Sequence, residues 1–296
     1  LTRIFVLGNA GIDLSLGLSR LPEAGETLVA DDVARAPGGK GLNQAVVAAR
    51  AGAAVLFSAP IGADADGDAV AAALASEPFH ALHLHRSDQR TDLSILMVAP
   101  GGENRIVTAG ACAAAMAPDI AAHFVARMAV GDILLMQGNL SLPATRFAME
   151  AARGRGGRVM LNAAPLRWSV SGLLELCDVI VVNEVEARCI TGMAGEGAAS
   201  ALRAAGARLA LVTLGAAGCV VADQAGITAV PGRRVDAVDT TGAGDTFCGV
   251  LAARFAAGNG WPEAVQAAQR AAAITVTRRG AFAALPTMSE LAAILG

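Results

Sequence analysis

The sequence predicts an α/β sandwich built on a mainly parallel sheet. Short runs of Val, Ile and Leu recur along its 296 residues, they are continuous rather than alternating, and Ala-rich stretches of helical character lie between them. A continuous apolar run is what a strand covered on both faces requires, and the repeated strand-helix-strand rhythm makes parallel neighbours. A composition of 54% hydrophobic and 17% charged residues describes a compact globule with a large core. At roughly 150 residues per domain the length suits two domains, but α/β cores often run to roughly 250 residues as one unit. One large domain with an appendage is therefore expected.

Taken in order, 3–8, 54–59, 132–137, 158–162, 178–182 and 208–213 read as buried strands. Two segments break the rhythm. Residues 14–36 carry Gly, Pro and alternating positions such as Thr27-Leu28-Val29-Ala30, and 91–109 alternates around the turn Pro100-Gly101-Gly102, a hairpin pattern. These two insertions are expected to pair as a small separate sheet, a lid over a ligand cleft, leaving 1–13, 37–90 and 110–296 as the core. A second hairpin is expected from 219–222 and 227–230 around Asp223-Gln224-Ala225-Gly226. From Ala243 onward the chain reads as helical, over 243–257, over 263–278 after Trp261-Pro262, and over 288–295.

Charge and composition exclude several function classes. With 23 Lys+Arg against 26 Asp+Glu, a formal charge of −3, there is no basic field for nucleic acid. The apolar excess is largely Ala and Gly, and no run reaches the roughly 20 apolar residues of a membrane span. Ile4-Phe5-Val6-Leu7 is too short for a signal-peptide core and runs into Gly8-Asn9 as a buried strand would. Five widely spaced cysteines without a C-x-x-C pair suggest neither a disulfide framework nor a zinc cluster. The expected setting is a reducing cytoplasm. His83 and His85 alternate along one strand face with no nearby Cys or carboxylate set, which reads as strand surface rather than as a metal site.

The strongest local signal is Asp239-Thr240-Thr241-Gly242-Ala243-Gly244-Asp245-Thr246-Phe247, which opens a long Ala-rich helix. Glycines at a helix start leave backbone N–H groups uncovered, and with the helix dipole these form a site for phosphate charge. Asp245 at its mouth is positioned to take a proton from a hydroxyl that attacks a phosphoryl group. Taken alone, an Asp there also serves simply to stabilise the helix start. The dinucleotide-binding pattern does not fit, because Phe247 stands where its third glycine belongs.

A second cluster, Pro37-Gly38-Gly39-Lys40-Gly41-Leu42-Asn43-Gln44, also leads into an Ala-rich helix. It is not a Walker A loop, since Gly41 rather than Ser or Thr follows Lys40. The glycines let backbone approach a small polar ligand, with Lys40 and Asn43 as donors; the same residues also fit a plain turn and helix cap.

Together the two clusters resemble the signatures of the ribokinase-like (PfkB) family of carbohydrate kinases. Asn183-Glu184-Val185-Glu186 resembles the family's N-x-x-E motif, and Thr213-Leu214-Gly215-x-x-Gly218 its nucleotide-side loop. The four motifs stand in the family's order along nearly the whole chain. The resemblance implies a three-layer α/β/α sandwich with a mainly parallel central sheet and a small β-sheet lid. It also implies ATP-dependent phosphorylation of a sugar's primary hydroxyl.

Residue by residue, the resemblance makes Asp245 the catalytic base and the amides of Gly242, Ala243 and Gly244 an anion hole. Asp13 would accept bonds from vicinal sugar hydroxyls, with Gly39, Lys40 and Asn43 beside it. Asn183 and Glu186 would hold the Mg²⁺ environment through water. Thr213, Gly215 and Gly218 would line the nucleotide, with Gln269 over the base; the chain has no Tyr and 3% aromatics, so aliphatic walls rather than stacking are expected there. Backbone carbonyls at Asp239, Thr241, Thr275, Arg278 and Gly280 would form a K⁺ site, although Ala284 stands where a hydroxyl side chain is common. Dimerisation through the lid is expected, since its edges and outer face need cover.

The sugar pocket departs from the family's ribose kinases at two positions. Gly11 stands where they have Asn, and Asn139, after Met136-Gln137-Gly138, where they have Glu. A pentose such as ribose is the expected substrate. The alternatives are a nucleoside, for whose base Gly11 would make room, or fructose or ketodeoxygluconate. A non-catalytic sugar or nucleotide sensor is the reading from another class.

Overall fold

The computed structural model describes residues 1–100 and 104–295. The first part of the chain forms β1 (Arg3–Leu7), β2 (Gly11–Gly17), β3 (Asp32–Gly38), α1 (Lys40–Arg50), β4 (Ala54–Gly62), α2 (Ala65–Leu74), β5 (Ala81–Ser87), β6 (Asp92–Val98) and β7 (Asn104–Ala109). There follow α3 (Ala111–Ala114), α4 (Pro118–Val125), β8 (Ile133–Gln137), α5 (Leu142–Gly154), β9 (Arg158–Asn162), β10 (Val179–Asn183), α6 (Glu184–Thr191) and α7 (Gly195–Ala204). The last part forms β11 (Leu209–Thr213), β12 (Gly218–Asp223), β13 (Gly226–Pro231), α8 (Ala243–Ala256), α9 (Trp261–Thr275) and α10 (Met288–Leu295).

A nine-stranded sheet in the order β13-β12-β11-β10-β9-β8-β1-β4-β5 forms the middle layer, parallel from β11 to β5. The terminal hairpin β12-β13 is antiparallel. Strand β1 shows why its run is apolar at every position. Ile4 and Val6 pack into a core with α1, α8 and α9, whereas Phe5 and Leu7 pack into the opposite core with α4, α5 and α7. Each fully buried side chain of this size contributes roughly 1.5–3 kcal/mol. The expected three-layer sandwich is the observed fold.

From β1 the chain moves to β4 and β5 on one side, and later to β8 and beyond on the other. The carboxyl ends of β1 and β8 therefore flank the topological switch point, where open α/β sheets form their ligand crevice. The strands meeting there end in polar residues: Gln137 on β8, Asn162 on β9, Asn183 on β10 and Thr213 on β11.

The four-stranded sheet β3-β2-β6-β7 is separate. Its pairing differs in detail from the 14–36 and 91–109 segments. Strand β2 already starts at Gly11, because it continues from the end of β1, and β3 runs to Gly38. Residues 27–30 form no strand despite their alternation; among the described residues no strand pairs with them, and Val29 is exposed. Strands β6 and β7 pair antiparallel as a hairpin requires, while Gly101 and Gly102 of the expected turn lie outside the described residues. Helix α9 begins at Trp261, two residues before the expected start, because Pro262 lacks only an N–H that is unpaired in a first turn anyway. It ends at Thr275, where the Arg278 N–H turns back to the Thr275 carbonyl.

All five cysteines are free. Among the described residues no helix is long and apolar enough to cross a membrane.

Candidate active site

Asn9, directly after β1, organises the first glycine cluster. Its carbonyl accepts the Leu42 N–H at 2.9 Å and its Oδ1 accepts the Gly41 N–H at 3.2 Å, tying the start of α1 to the end of β1. A Cβ at Gly41 would lie 2.6 Å from the Asn9 nitrogen, so only glycine allows the approach. A Cβ at Gly38 would lie 2.2 Å from the Asp13 carboxyl carbon; that carboxylate rests on the glycine. Gly39, at φ 105°, turns the chain from β3 into α1.

Helix α8 brings the second cluster to the same place. Gly242 is its N-cap in the left-handed region, φ 80°, and Asp245 lies in the first turn with 6% exposure. The Gly242 and Gly244 N–H groups make no hydrogen bond among the described residues, and nothing lies within 4 Å of a Cβ at Gly244. The third expected anion-hole amide differs: the Ala243 N–H turns towards the Thr240 carbonyl at 3.3 Å.

Helices α1 and α8 touch at Gly249, where a Cβ would lie 2.7 Å from the Gln44 carbonyl oxygen. This contact brings Asp245 to α1. Asn43 Nδ2 donates to Asp245 Oδ2 at 3.2 Å, Gln44 Nε2 donates to Oδ1 at 3.0 Å, and Lys40 Nζ stands 3.8 Å from Oδ1. Gln44 Nε2 also donates to Asn162 Oδ1 at 3.0 Å, and Gln44 Oε1 accepts from Gln137 Nε2 at 2.8 Å. Asp245 is thus the end of a buried amide chain running across β8 and β9. Sequence reasoning assigned no role to Gln44, Gln137 or Asn162. For Gln137 and Asn162 the available signal was a polar residue closing an otherwise apolar strand.

The charges interact. Burial and the Asp245 charge push the Asp13 carboxyl up to about 7, against smaller opposing effects of the Ser94 hydroxyl and Lys40. The Lys40 ammonium is raised, mainly by Asp245. Glu186 is raised by burial, partly offset by the Asn183 backbone and Lys40. Asp13, Lys40, Glu186 and Asp245 therefore share one electrostatic neighbourhood.

Asn183 and Glu186 form a reciprocal capping box on α6: Asn183 Oδ1 accepts the Glu186 N–H and Glu186 Oε2 accepts the Asn183 N–H, each at 2.8 Å. The other Glu186 oxygen has no hydrogen bond among the described residues and is a hard oxygen donor of the kind Mg²⁺ takes through water. Asn183 pairs in register with Thr213, and Thr213 with Cys219. Gln269 reaches Cys219 Sγ at 3.9 Å. Gly218 admits no side chain, since its Cβ would lie 2.1 Å from the Val230 carbonyl oxygen. The nucleotide-side residues suggested by the motifs are thus adjacent at the ends of β10 to β12.

Asp239 is a buried staple. Its Oδ1 accepts the Thr241 N–H at 2.9 Å and hydroxyl at 2.7 Å, and its Oδ2 accepts the Gly280 N–H at 2.9 Å. The carbonyls of Asp239, Thr241, Arg278 and Gly280 accept no backbone N–H outside regular elements among the described residues. The Thr275 carbonyl takes the Arg278 N–H at 3.1 Å instead. Asn104 on β7 donates to Thr241 Oγ1 at 3.2 Å, so the small sheet touches this loop.

Gly11 does not make room for a base: a Cβ there would lie 2.3 Å from the Asp92 carbonyl oxygen, so the space beside it is filled by β6. Among the described residues the buried acceptors Asn43 Oδ1, Asp92 Oδ2, Gln137 Oε1 and Asn139 Oδ1 have no hydrogen-bond partner. Such atoms call for donors, as a polyol provides. Elsewhere, His83 Nε2 meets Arg127 and His85 Nε2 meets Ser58 Oγ; among the described residues no group of three His, Cys, Asp or Glu side chains could hold a metal.

A family model described as pfkB family carbohydrate kinase matches residues 1–288. The chain is 36% identical over 292 residues to the ribokinase of Haemophilus influenzae, covering 96% of this chain and 95% of that protein. The ribokinase structure from Thermotoga maritima superposes with a TM-score of 0.86 at 28% identity, covering 100% of this chain and 99% of that one. The Arabidopsis thaliana ribokinase complexed with ribose and ATP superposes with a TM-score of 0.84 at 27% identity, covering 99% and 98%.

Proposed function

The chain belongs to the pfkB family of carbohydrate kinases, and we propose that it transfers the γ-phosphoryl group of ATP to the primary hydroxyl of ribose or a closely related pentose. The observation that carries this reading is Asp245, a buried carboxylate held by Asn43 and Gln44 at the open start of α8. The full-length likeness to ribokinases supports the sugar class.

In this reading Asp245 takes the proton of the hydroxymethyl group as its oxygen attacks the γ-phosphorus. The bond to the β–γ bridging oxygen breaks and ADP leaves. The Gly242 and Gly244 amides and the α8 dipole hold the charge on the transferring group, with Ala243 available once its long turn bond yields. Lys40 adds positive charge beside the carboxylate, and Asp13 accepts vicinal hydroxyls. Thr213, Gly215, Gly218 and Gln269 line the nucleotide. Mg²⁺, when bound with ATP, would neutralise phosphate charge, with Glu186 and Asn183 holding it through water. The carbonyls of Asp239, Thr241, Arg278 and Gly280 would hold K⁺ beside the anion hole.

A nucleoside substrate loses its support with the space at Gly11. A sensor without turnover would not need a carboxylate aligned with uncovered helix amides.

The small sheet has the form of a lid with a dimer surface. By register Leu14, Leu16, Val33, Ile95 and Val107 share one face, with Arg35 and Arg105 also on it, and Val33 and Val107 are each 62% exposed. An apolar sheet face of this kind needs a cover, and a second copy of the chain supplies one. Five free cysteines, Cys189 exposed among them, suit a reducing cytoplasm.

The test is ADP release with MgATP, with and without K⁺, across ribose, deoxyribose, fructose, ketodeoxygluconate and adenosine. A rate that depends on ribose or another pentose is expected. Turnover confined to adenosine would overturn the pentose assignment, and binding without turnover would overturn the kinase reading.

A further inference from the structure

On the face of the small sheet opposite Leu14 and Leu16, the polar residues Asp13, Ser94 and Asp92 stand together at the end nearer the core. Gly11 pairs with Asp92 and Asp13 with Ser94 in the parallel β2–β6 ladder. Alternation puts these residues on one face, where the Ser94 hydroxyl is near enough to favour the Asp13 charge. The Asp92 side chain therefore projects on the Asp13 side of the sheet, one pair closer to the core.

Asp92 is 3% exposed. Its Oδ1 accepts the backbone N–H groups of Cys112 at 3.0 Å and Ala113 at 3.3 Å. Its Oδ2 is buried and makes no well-formed hydrogen bond among the described residues; the Asn9 amide and the Arg167 guanidinium stand beside the carboxylate and favour its charge without closing a bond of good geometry on this oxygen. A buried carboxylate oxygen left without a donor is unfavourable unless something outside the chain supplies one. The neighbouring position is closed to side chains, since a Cβ at Gly11 would strike the Asp92 carbonyl. A polar group missing from β2 is thus matched by an unsatisfied one on β6.

We propose that Asp92 is a specificity-determining contact of the sugar site, its Oδ2 accepting a hydroxyl of the bound pentose in place of a side chain at Gly11. This rests on the pentose-kinase reading above. Burial pushes the Asp92 carboxyl up to about 6, so near neutral pH it is ionised and accepts only.

The experiment is steady-state kinetics of Asp92→Asn and Asp92→Ser with ribose and its single-deoxy analogues, with a crystal structure of the wild type bound to ribose. Asp92→Asn keeps the shape and an acceptor for the Cys112 and Ala113 amides. It is expected to raise KM for ribose about tenfold or more with KM for ATP unchanged. The deoxy analogue lacking the hydroxyl read by Asp92, penalised in the wild type, is expected to lose most of that penalty in the variants. Unchanged KM for ribose in both variants overturns the proposal. If neither variant folds, the crystal structure decides: a ribose hydroxyl within about 3 Å of Oδ2 supports the contact, and the absence of any hydroxyl there overturns it. Failure of the wild type to phosphorylate any sugar would instead count against the kinase reading.

Discussion

Gln44 Nε2 stands 3.0 Å from Asp245 Oδ1 and fixes the direction of every amide behind it. An ionised carboxylate only accepts, so Gln44 must present its nitrogen to Asp245 and its oxygen to Gln137. Asn162 must then turn its oxygen to Gln44, and its Nδ2 donates to the Val181 carbonyl at 3.1 Å. The orientation of the Asp245 carboxylate is thus set from the ends of β8 and β9.

Replacing Gln44 by Leu keeps the volume and removes the bond. Hydrogen bonds to charged groups contribute about 1.5–3 kcal/mol, which, if realised in the transition state, lowers kcat roughly tenfold to hundredfold. KM for ATP should hold. In an Asp245→Asn background Gln44→Leu should add little further loss, whereas a purely structural role would add its full effect; a double-mutant cycle in kcat separates the two.

Gly249 decides how closely α8 approaches α1. A Val there would place atoms under 3 Å from the Gln44 carbonyl and the Val47 side chain. Overpacking of this kind costs about 1–3 kcal/mol. Gly249→Val is expected to lower Tm by several degrees and to reduce kcat as well, because Asn43 and Gln44 move away from Asp245; thermal unfolding and kinetics on one preparation check both.

Asp13 predicts a pH dependence. Its carboxyl, ordinarily near 3.8, is raised to about 7 by burial and the Asp245 charge. Between roughly pH 4 and 7 the folded state holds a proton that the unfolded chain has released, so this group's contribution to stability is present at low pH and is lost as pH rises towards 7. Hydroxyl donors favour the ionised form, so sugar binding should release a proton near pH 7, and KM for sugar should rise as the pH falls below it. Calorimetry at pH 7 in two buffers of different ionisation enthalpy measures the release, and Asp13→Asn should abolish most of it. Binding without proton release would contradict the role given to Asp13.

The apolar face around Val107 predicts a dimer. Light scattering of the wild type should give twice the chain mass, and Val33→Asp with Val107→Asp should give the monomer. A wild type that is monomeric at high concentration would contradict the lid interface.

The core was legible because strands buried on both faces have a plain signature, as in Ile4 to Leu7, and α8 was legible from its glycine start. The small sheet was harder. Thr27 to Ala30 alternate as a strand would but have no partner, and pairing is decided by the neighbour rather than by the segment. The two glycine clusters marked the candidate site, yet Gln137 and Asn162 gained meaning only when the parallel register placed their strand ends side by side, and Gln44 only when α1 carried it to them. Gly11 misled for a related reason. A glycine reads as spare room until the β6 backbone beside it is known, and Asp92, some eighty positions further on, carries no motif of its own.

The most direct test of the central claim is ADP release with ribose and MgATP by the wild type and by Asp245→Asn. Asparagine keeps the shape and removes the base. A loss of kcat of about a hundredfold or more, with ribose and ATP still bound, is the predicted result. An Asp245→Asn enzyme that turns over ribose at a rate near that of the wild type would contradict it.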